Sequence, residues 1–231
     1  MTFNLDEGYF FGLGAFETIA VKNSKPILLD YHLERLKKAM KFFGIEKELP
    51  PIEFTNDVVK IVVSKENIVI TTRENHYTED DYQKGFRLDF SKVRRNETSS
   101  LVYHKTLNYG DNILEKRLAT SRKIDEPIFL NTKGEIAEGA CSNIFFVKGN
   151  KIYTPKTSCG LLEGTMRRYI LEHYTVSECI IMPEEIGEFD EVFLTNALMG
   201  IMPVRQFEGY SYTNWTVTNQ LRKEYGEFIG S

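Results

Sequence analysis

The spacing of apolar and polar positions changes character several times along the chain, and each change marks an element. Residues Ala15 to Val21 carry β-branched and aromatic side chains between Gly12-Leu13-Gly14 and the turn Lys22-Asn23-Ser24-Lys25-Pro26, which predicts a strand. From Asp30 the period lengthens. Leu33, Leu36, Met40 and Phe43 recur at helical spacing, with Asp30 placed to cap and Gly44 to stop, so a helix is expected from about Tyr31 to Phe43. A second helical stretch is expected from about Asn56 to Ser64, then a strand from Ile68 to Thr72. The segment Glu74 to Asp81 is polar and aperiodic, and the domain boundary is placed just beyond it. That gives a small N-terminal α/β domain over 1–83 and a larger C-terminal domain over 84–231.

The second part opens on the alternation Phe86, Leu88, Phe90, which predicts a half-buried strand. A helix follows Tyr109-Gly110-Asp111, with Ile113, Leu114 and Leu118 marking its apolar side. Asn143 to Val147 and Ile152 to Thr154 flank Gly149-Asn150 and read as a β-hairpin. Further helices fit Gly164 to Tyr174 and Thr216 to Phe228, with strands at Ile180 to Met182 and Glu191 to Thr195. Helices mixed with hairpins predict an α+β fold rather than a regular parallel array.

At 231 residues the chain is long enough for one large domain or two small ones, either with a substantial core. With 29 basic against 33 acidic residues it carries no broad positive footprint, which argues against nucleic acid or an anionic membrane as partner. Small-molecule chemistry is expected instead. Cys141, Cys159 and Cys179 are odd in number and lack CxxC spacing, so neither a disulfide framework nor a zinc site is expected. His32 and His104 have no metal-like partner spacing and read as positioning or packing residues. The first residues lack a basic region and a long apolar core, and no stretch approaches the ~18 apolar residues of a membrane span. A cytoplasmic location is expected.

Candidate chemistry lies where elements meet. Lys105, in His104-Lys105-Thr106-Leu107-Asn108-Tyr109, follows a strand-like segment and precedes a helix. A lysine taken alone is a solvated surface residue. An amine can, however, hold a cofactor aldehyde as a Schiff base, and a carboxylate can keep a pyridinium nitrogen protonated. Glu138, framed by the small residues of Ile136-Ala137-Glu138-Gly139-Ala140, supplies such an acid. Gly164-Thr165-Met166-Arg167 begins a helix whose first N–H groups, from Thr165 and Met166, suit a dianion. Arg35, within the first helix, has a fork that can reach an anion. Asn196 and Ala197 open a turn of small and amide-bearing residues after a strand, where N–H groups serve a ligand or hold the turn itself.

As a set these residues resemble the class IV pyridoxal-phosphate enzymes of fold type IV, which include branched-chain and D-amino acid aminotransferases and 4-amino-4-deoxychorismate lyases. The resemblance runs through Phe11 to Thr18, His32-Leu33-Glu34-Arg35-Leu36, Lys105 to Tyr109, Glu138 to Phe146, Gly164 to Arg167 and Thr195 to Val204. It implies two domains with pyridoxal 5'-phosphate between them, in a homodimer. It further implies that Lys105, in the C-terminal domain, anchors the cofactor, that Glu138 meets the pyridine nitrogen, that Tyr109 bonds the phenolic oxygen and that Arg35 binds the phosphate. Thr165, Met166, Asn196 and Ala197 would complete the phosphate cup. Thr18, Arg73 and His76 are available to meet a substrate carboxylate. The family usually has an N-terminal hairpin before its Asp-x-Gly segment, whereas Asp6-Glu7-Gly8 comes almost at once here.

The Asn196 to Met199 turn with Met202-Pro203-Val204 looks most like the aminodeoxychorismate lyases. A lyase making 4-aminobenzoate and pyruvate for folate synthesis is therefore the leading expectation. An aminotransferase acting on branched-chain or D-amino acids is the alternative, and a noncatalytic cofactor-binding module the third.

Overall fold

β-Branched residues decide the first sheet. In the computed structural model, which describes residues 4–55 and 57–230, β1 (Gly14–Lys22), β2 (Lys25–Pro26), β3 (Val58–Ser64) and β4 (Ile68–Arg73) form an antiparallel sheet in the order β2-β1-β3-β4. The expected helix over 56–64 is thus a strand from Val58 onward, and Asn56 lies outside the described residues. Val58, Val59, Ile61, Val62 and Val63 lose side-chain freedom in a helix and pack well on a pleated surface. β3 runs between β1 and β4 with both faces largely covered, so apart from the exposed Lys60 it is apolar at neighbouring positions rather than alternating.

Ahead of the sheet lies the short α1 (Glu7–Phe11), whose N-cap Asp6 accepts from the Tyr9 amide. The main helix of this unit, α2 (Leu29–Phe42), begins after Leu28 in the left-handed conformation, φ 52°. Asp30 is therefore not the cap. It sits in the first turn, where its charge complements the helix dipole. The buried face of α2 is His32, Leu36, Ala39 and Met40, the last three of which pack with Ala15, Ile19, Val59 and Ile61.

The chain clusters into two compact units: one runs to His76 and takes in His104–Tyr109, the other comprises Tyr77–Tyr103 and Gly110–Ser231. This differs from a single cut after residue 83 and puts Lys105 in the first unit. The cause is backbone pairing. The Phe16 amide donates to Lys105 O at 3.0 Å and the Leu107 amide to Gly14 O at 2.9 Å, so the lysine segment is an extra rung on β1.

The second unit is built on nine strands: β5 (Phe86–Arg95), β6 (Glu126–Asn131), β7 (Ile136–Gly139), β8 (Asn143–Lys148), β9 (Lys151–Pro155), β10 (Val176–Cys179), β11 (Glu191–Asn196), β12 (Gly200–Phe207) and β13 (Tyr210–Ser211). Their order is β10-β9-β8-β11-β12-β5-β6-β7, with β13 beside β12. Two βαβ units supply parallel pairs, β5 and β6 joined through α4 (Gly110–Ser121), and β9 and β10 through α5 (Thr165–His173). The other connections are mostly antiparallel, which makes the sheet mixed and the fold α+β. Two further helices complete the unit, α3 (Glu79–Lys84) and α6 (Thr216–Phe228).

Several local expectations shift. The polar stretch after Glu74 ends in α3, which Thr78 and Asp81 open as a capping box. The strand expected at Ile180 to Met182 falls earlier, as β10. Ile181 is instead buried off the strand with its carbonyl accepting from the Ile136 amide at 2.9 Å. In α4 the residues that bury are Asn112 and Ala119, while Ile113, Leu114 and Leu118 are exposed.

Candidate active site

In the first unit, alternation along β1 sorts the site residues by face. Ala15, Glu17 and Ile19 share one face, which carries the core under α2, so a carboxylate is driven into an apolar layer. Glu17 is fully buried. It is matched there: Arg35 Nε donates to Oε1 and Nη2 to Oε2, both at 2.7 Å, and His32 Nδ1 lies 2.6 Å from Oε2. Burial alone would raise the Glu17 pKa, but the Arg35 guanidinium and His32 hold it down at about 2. Burial pushes the His32 pKa down, and Arg35 and Lys105 add to that against the pull of Glu17. A neutral His32 beside an acceptor-only carboxylate must carry its proton on Nδ1 and donate it.

On the opposite face Thr18 stands across from Lys60 in the register, and Phe16 receives Lys105 Nζ at 4.4 Å from its ring centroid. The Tyr109 ring meets Phe16 edge-on at 5.1 Å and lies 5.4 Å from the same Nζ. Lys105 and Tyr109 are thus brought together around Phe16. Arg73 and His76 are exposed. Arg73 donates to Glu74 O at 2.8 Å, and its guanidinium lies 3.4 Å from His76 Nδ1.

In the second unit Glu138 sits on β7 opposite Phe129 of β6. Its Oε2 accepts the Leu162 amide at 3.0 Å, while Arg95, at the end of β5, brings Nε to 3.0 Å from Oε1 and lays its guanidinium 3.9 Å over the Phe129 ring. Nε is close enough for an ion pair but not aligned as a hydrogen bond, so the Arg95 contact is electrostatic in character.

Leu162 also fixes the start of α5, because its carbonyl accepts Asn143 Nδ2 at 2.8 Å. Gly164 is the N-cap, and a Cβ there would fall 2.2 Å from Asn143 Oδ1. Having no side chain, Gly164 adds no side-chain cap to the buried first turn at Thr165 and Met166. Arg167 does not take part: fully buried, it ties Pro155 of β9 to Glu178 of β10.

Asn196 spends its side chain on its own turn. Oδ1 accepts the Leu198 and Met199 amides at 2.9 and 2.8 Å, and Nδ2 faces the Tyr77 hydroxyl at 3.3 Å. Burial, then Glu126, pushes the Tyr77 phenol up to about 12, so it stays protonated. Glu126 itself is buried, takes the Cys141 amide at 2.6 Å and Ser142 Oγ at 2.8 Å, and pairs with Lys116. These contacts account for a glycine beside Glu138, since a Cβ on Gly139 would sit 2.2 Å from Ser142 Oγ and 2.7 Å from Glu126 Oε1.

Sequence reasoning passed over Glu17, Arg95 and Glu126. One signal was available for Glu17, an acid in phase with Ala15 and Ile19 on a strand. Nothing comparable marks Arg95 or Glu126.

The chain carries the donor types that pyridoxal phosphate requires, an amine, a buried carboxylate, a guanidinium and a helix N-terminus without a side-chain cap. The fold is that of a fold type IV enzyme. The model of the amino-transferase class IV family matches residues 14–65 and 53–207, and the chain belongs to that family. It is therefore an enzyme that depends on pyridoxal phosphate. It is 29% identical to the aminodeoxychorismate lyase of Bacillus subtilis (strain 168), over 90% of this chain and 82% of that one. It is 25% identical to the D-alanine aminotransferase of Bacillus licheniformis over 88% of this chain and 82% of that one. Its fold matches the 4-amino-4-deoxychorismate lyase of Pseudomonas aeruginosa with a TM-score of 0.83 at 23% identity, covering 98% of this chain and 96% of that one.

Proposed function

We propose that this enzyme is a 4-amino-4-deoxychorismate lyase that releases 4-aminobenzoate and pyruvate for folate synthesis in the cytoplasm. The observation that carries the reading is the similarity to the Bacillus subtilis lyase along nearly the whole chain. The Asn196 to Val204 turn of lyase type supports it.

In this reading Lys105 anchors the cofactor, Arg35 and the Thr165 and Met166 amides hold its phosphate with the Asn196-Ala197 turn, and Tyr109 meets its phenolic oxygen. When bound, the cofactor supplies a ring that accepts an electron pair. Glu138, placed by the Leu162 amide and faced by Arg95, holds the proton on the ring nitrogen. Lys105 Nζ removes the proton from the amine-bearing carbon of the substrate. The C–O bond to the enolpyruvyl group breaks, the carbocycle becomes aromatic and the proton returns to the departing enolpyruvate. Thr18, Arg73 and His76 serve the substrate carboxylates.

A homodimer fits the surface. Leu5, Tyr9, Phe10 and Phe11 around α1, and Ile113, Leu114 and Leu118 along α4, are exposed apolar side chains that a partner copy would cover. Among the described residues no helix is long and apolar enough to cross a membrane.

Product analysis tests the reading. Incubation with 4-amino-4-deoxychorismate should yield 4-aminobenzoate and pyruvate in equal amounts. A second reading, aminotransferase, is favoured by the similarity to the D-alanine enzyme. Amino transfer to 2-oxoglutarate from a panel of L- and D-amino acids, without that cleavage, would establish it instead.

A further inference from the structure

Arg35 is assigned above to the cofactor phosphate, yet in the structure its guanidinium is already held by another group. Glu17 grips it through two parallel bonds of 2.7 Å, from Nε and Nη2, the fork-to-fork arrangement that fixes the guanidinium plane as well as its position. Glu17 cannot turn away. It is fully buried on the core face of β1, and His32 Nδ1 bonds the same Oε2 from one turn earlier on α2. The three side chains form a closed chain from strand to helix.

Stability alone does not account for such an arrangement. A buried acid with two partners offers little net stability over apolar packing of the same shape. It does remove the rotational freedom of a long arginine side chain before any ligand arrives, and that lowers the cost of binding. It also leaves the cluster without net charge, because Glu17 is ionised well below neutrality and His32 is neutral. Arg35 can therefore act through the direction of its N–H groups more than through an unbalanced charge.

We propose that Glu17 is a positioning residue for phosphate recognition: with His32 it fixes the Arg35 fork so that the enzyme discriminates the phosphorylated cofactor from its unphosphorylated form. The proposal rests on the assignment of Arg35 to the phosphate. Glu17 touches neither substrate nor cofactor in it.

The test is binding, read from the visible absorption of the lysine-bound cofactor. Dissociation constants for pyridoxal phosphate and for pyridoxal are measured on the full chain freed of cofactor, and their ratio is compared among variants. Glu17→Gln should weaken pyridoxal phosphate about 10- to 100-fold, the usual effect of losing an orienting partner, and leave pyridoxal within about twofold. Glu17→Asp keeps the charge but withdraws the carboxylate by one methylene, so it should fold and should shift the ratio in the same direction by a smaller factor. Equal loss of both ligands, or an unchanged ratio in Glu17→Asp should Glu17→Gln fail to fold, would overturn the proposal. Arg35→Lys separates the two layers of inference. If it leaves the ratio unchanged, the phosphate assignment falls and takes the proposal with it. If it changes the ratio while the Glu17 variants do not, the proposal alone falls.

Discussion

The two compact units meet the same problem, a carboxylate in a buried site, with different means. In the first, Glu17 is held by two charged or titratable side chains from a single helix, a closed cluster inside the core. In the second, Glu138 is held by a backbone amide on one oxygen and faces an arginine, poorly aligned for a hydrogen bond, on the other. The first carboxylate has been made inert, ionised far below neutrality and locked in place. The second is fixed in position by the Leu162 amide and faced by Arg95. That contrast separates an acid that orients a neighbour from one proposed to exchange a proton with a ligand, although both are buried and both face an arginine.

The largest effect that can test this division is loss of the anchor. Lys105→Ala should abolish the visible band of the cofactor-loaded enzyme and its turnover together, checked by absorption spectroscopy and product assay. Persistence of the band would show that another amine holds the cofactor. Glu138→Gln should differ in kind, keeping the cofactor bound while slowing turnover by about 100-fold or more, in line with the loss of one preorganised charge at a reacting centre. An unchanged rate would remove Glu138 from the proton's path and erase the distinction between the two acids.

Acid should act on the first unit through its closed cluster. The His32 pKa is lowered by folding, so the unfolded chain takes up a proton as pH falls through about 6.5 while the folded chain does not, and stability declines below that point. Glu17, depressed from 4.5 to about 2, contributes stability that is present above about 4.5 and lost as pH falls from there toward 2. Its share is on the order of 3 kcal/mol. Urea unfolding followed from pH 8 to pH 3 should show both steps, and His32→Gln should remove the first. A pH profile identical to that of the native chain would mean that folding leaves the His32 pKa unshifted.

A smaller effect belongs to the second unit. Gly164→Ala adds a methyl group 2.2 Å from Asn143 Oδ1, and the strain should cost about 1–3 kcal/mol. It should also displace the α5 amides and weaken pyridoxal phosphate more than pyridoxal. Equal weakening of both would show that the α5 N-terminus does not meet the phosphate.

What the sequence revealed follows from how local each device is. Lys105, Glu138, Arg35 and the Gly164 turn lie in short runs of distinctive residues, so they stand out without the fold. The partners that fix them are far away in the chain: Glu17 is 18 residues from Arg35, and Leu162 is 24 from Glu138. No period or spacing links such pairs, because only sheet pairing or helix packing brings them together. Element prediction failed for a related reason at β3. Val58 to Val63 is apolar on both faces except at Lys60, and without alternation a short run fits strand or helix equally until β1 and β4 are known to flank it. The apolar side of α4 is legible in the sequence, but where it points is not: Ile113, Leu114 and Leu118 are exposed.

The smallest expected effect is the control on which the contrast depends. Arg168 and Glu172 form an i,i+4 pair on α5 at 2.7 Å, as short as the bonds between Arg35 and Glu17. Distance alone would rank the two pairs together. Burial does not: the α5 pair has 41% and 44% of its side-chain surface exposed, against 13% and 1% for Arg35 and Glu17. Water screens the first pair and is excluded from the second, and breaking a buried pair strands a charge where nothing can solvate it. Glu172→Ala should therefore cost no more than about 0.5 kcal/mol in urea unfolding, with no change in cofactor affinity. Glu17→Gln should cost about 3–5 kcal/mol by the same measurement. If the two substitutions cost the same, desolvation is not what distinguishes the core cluster, and the case that Glu17 is held there to orient Arg35 loses its energetic basis.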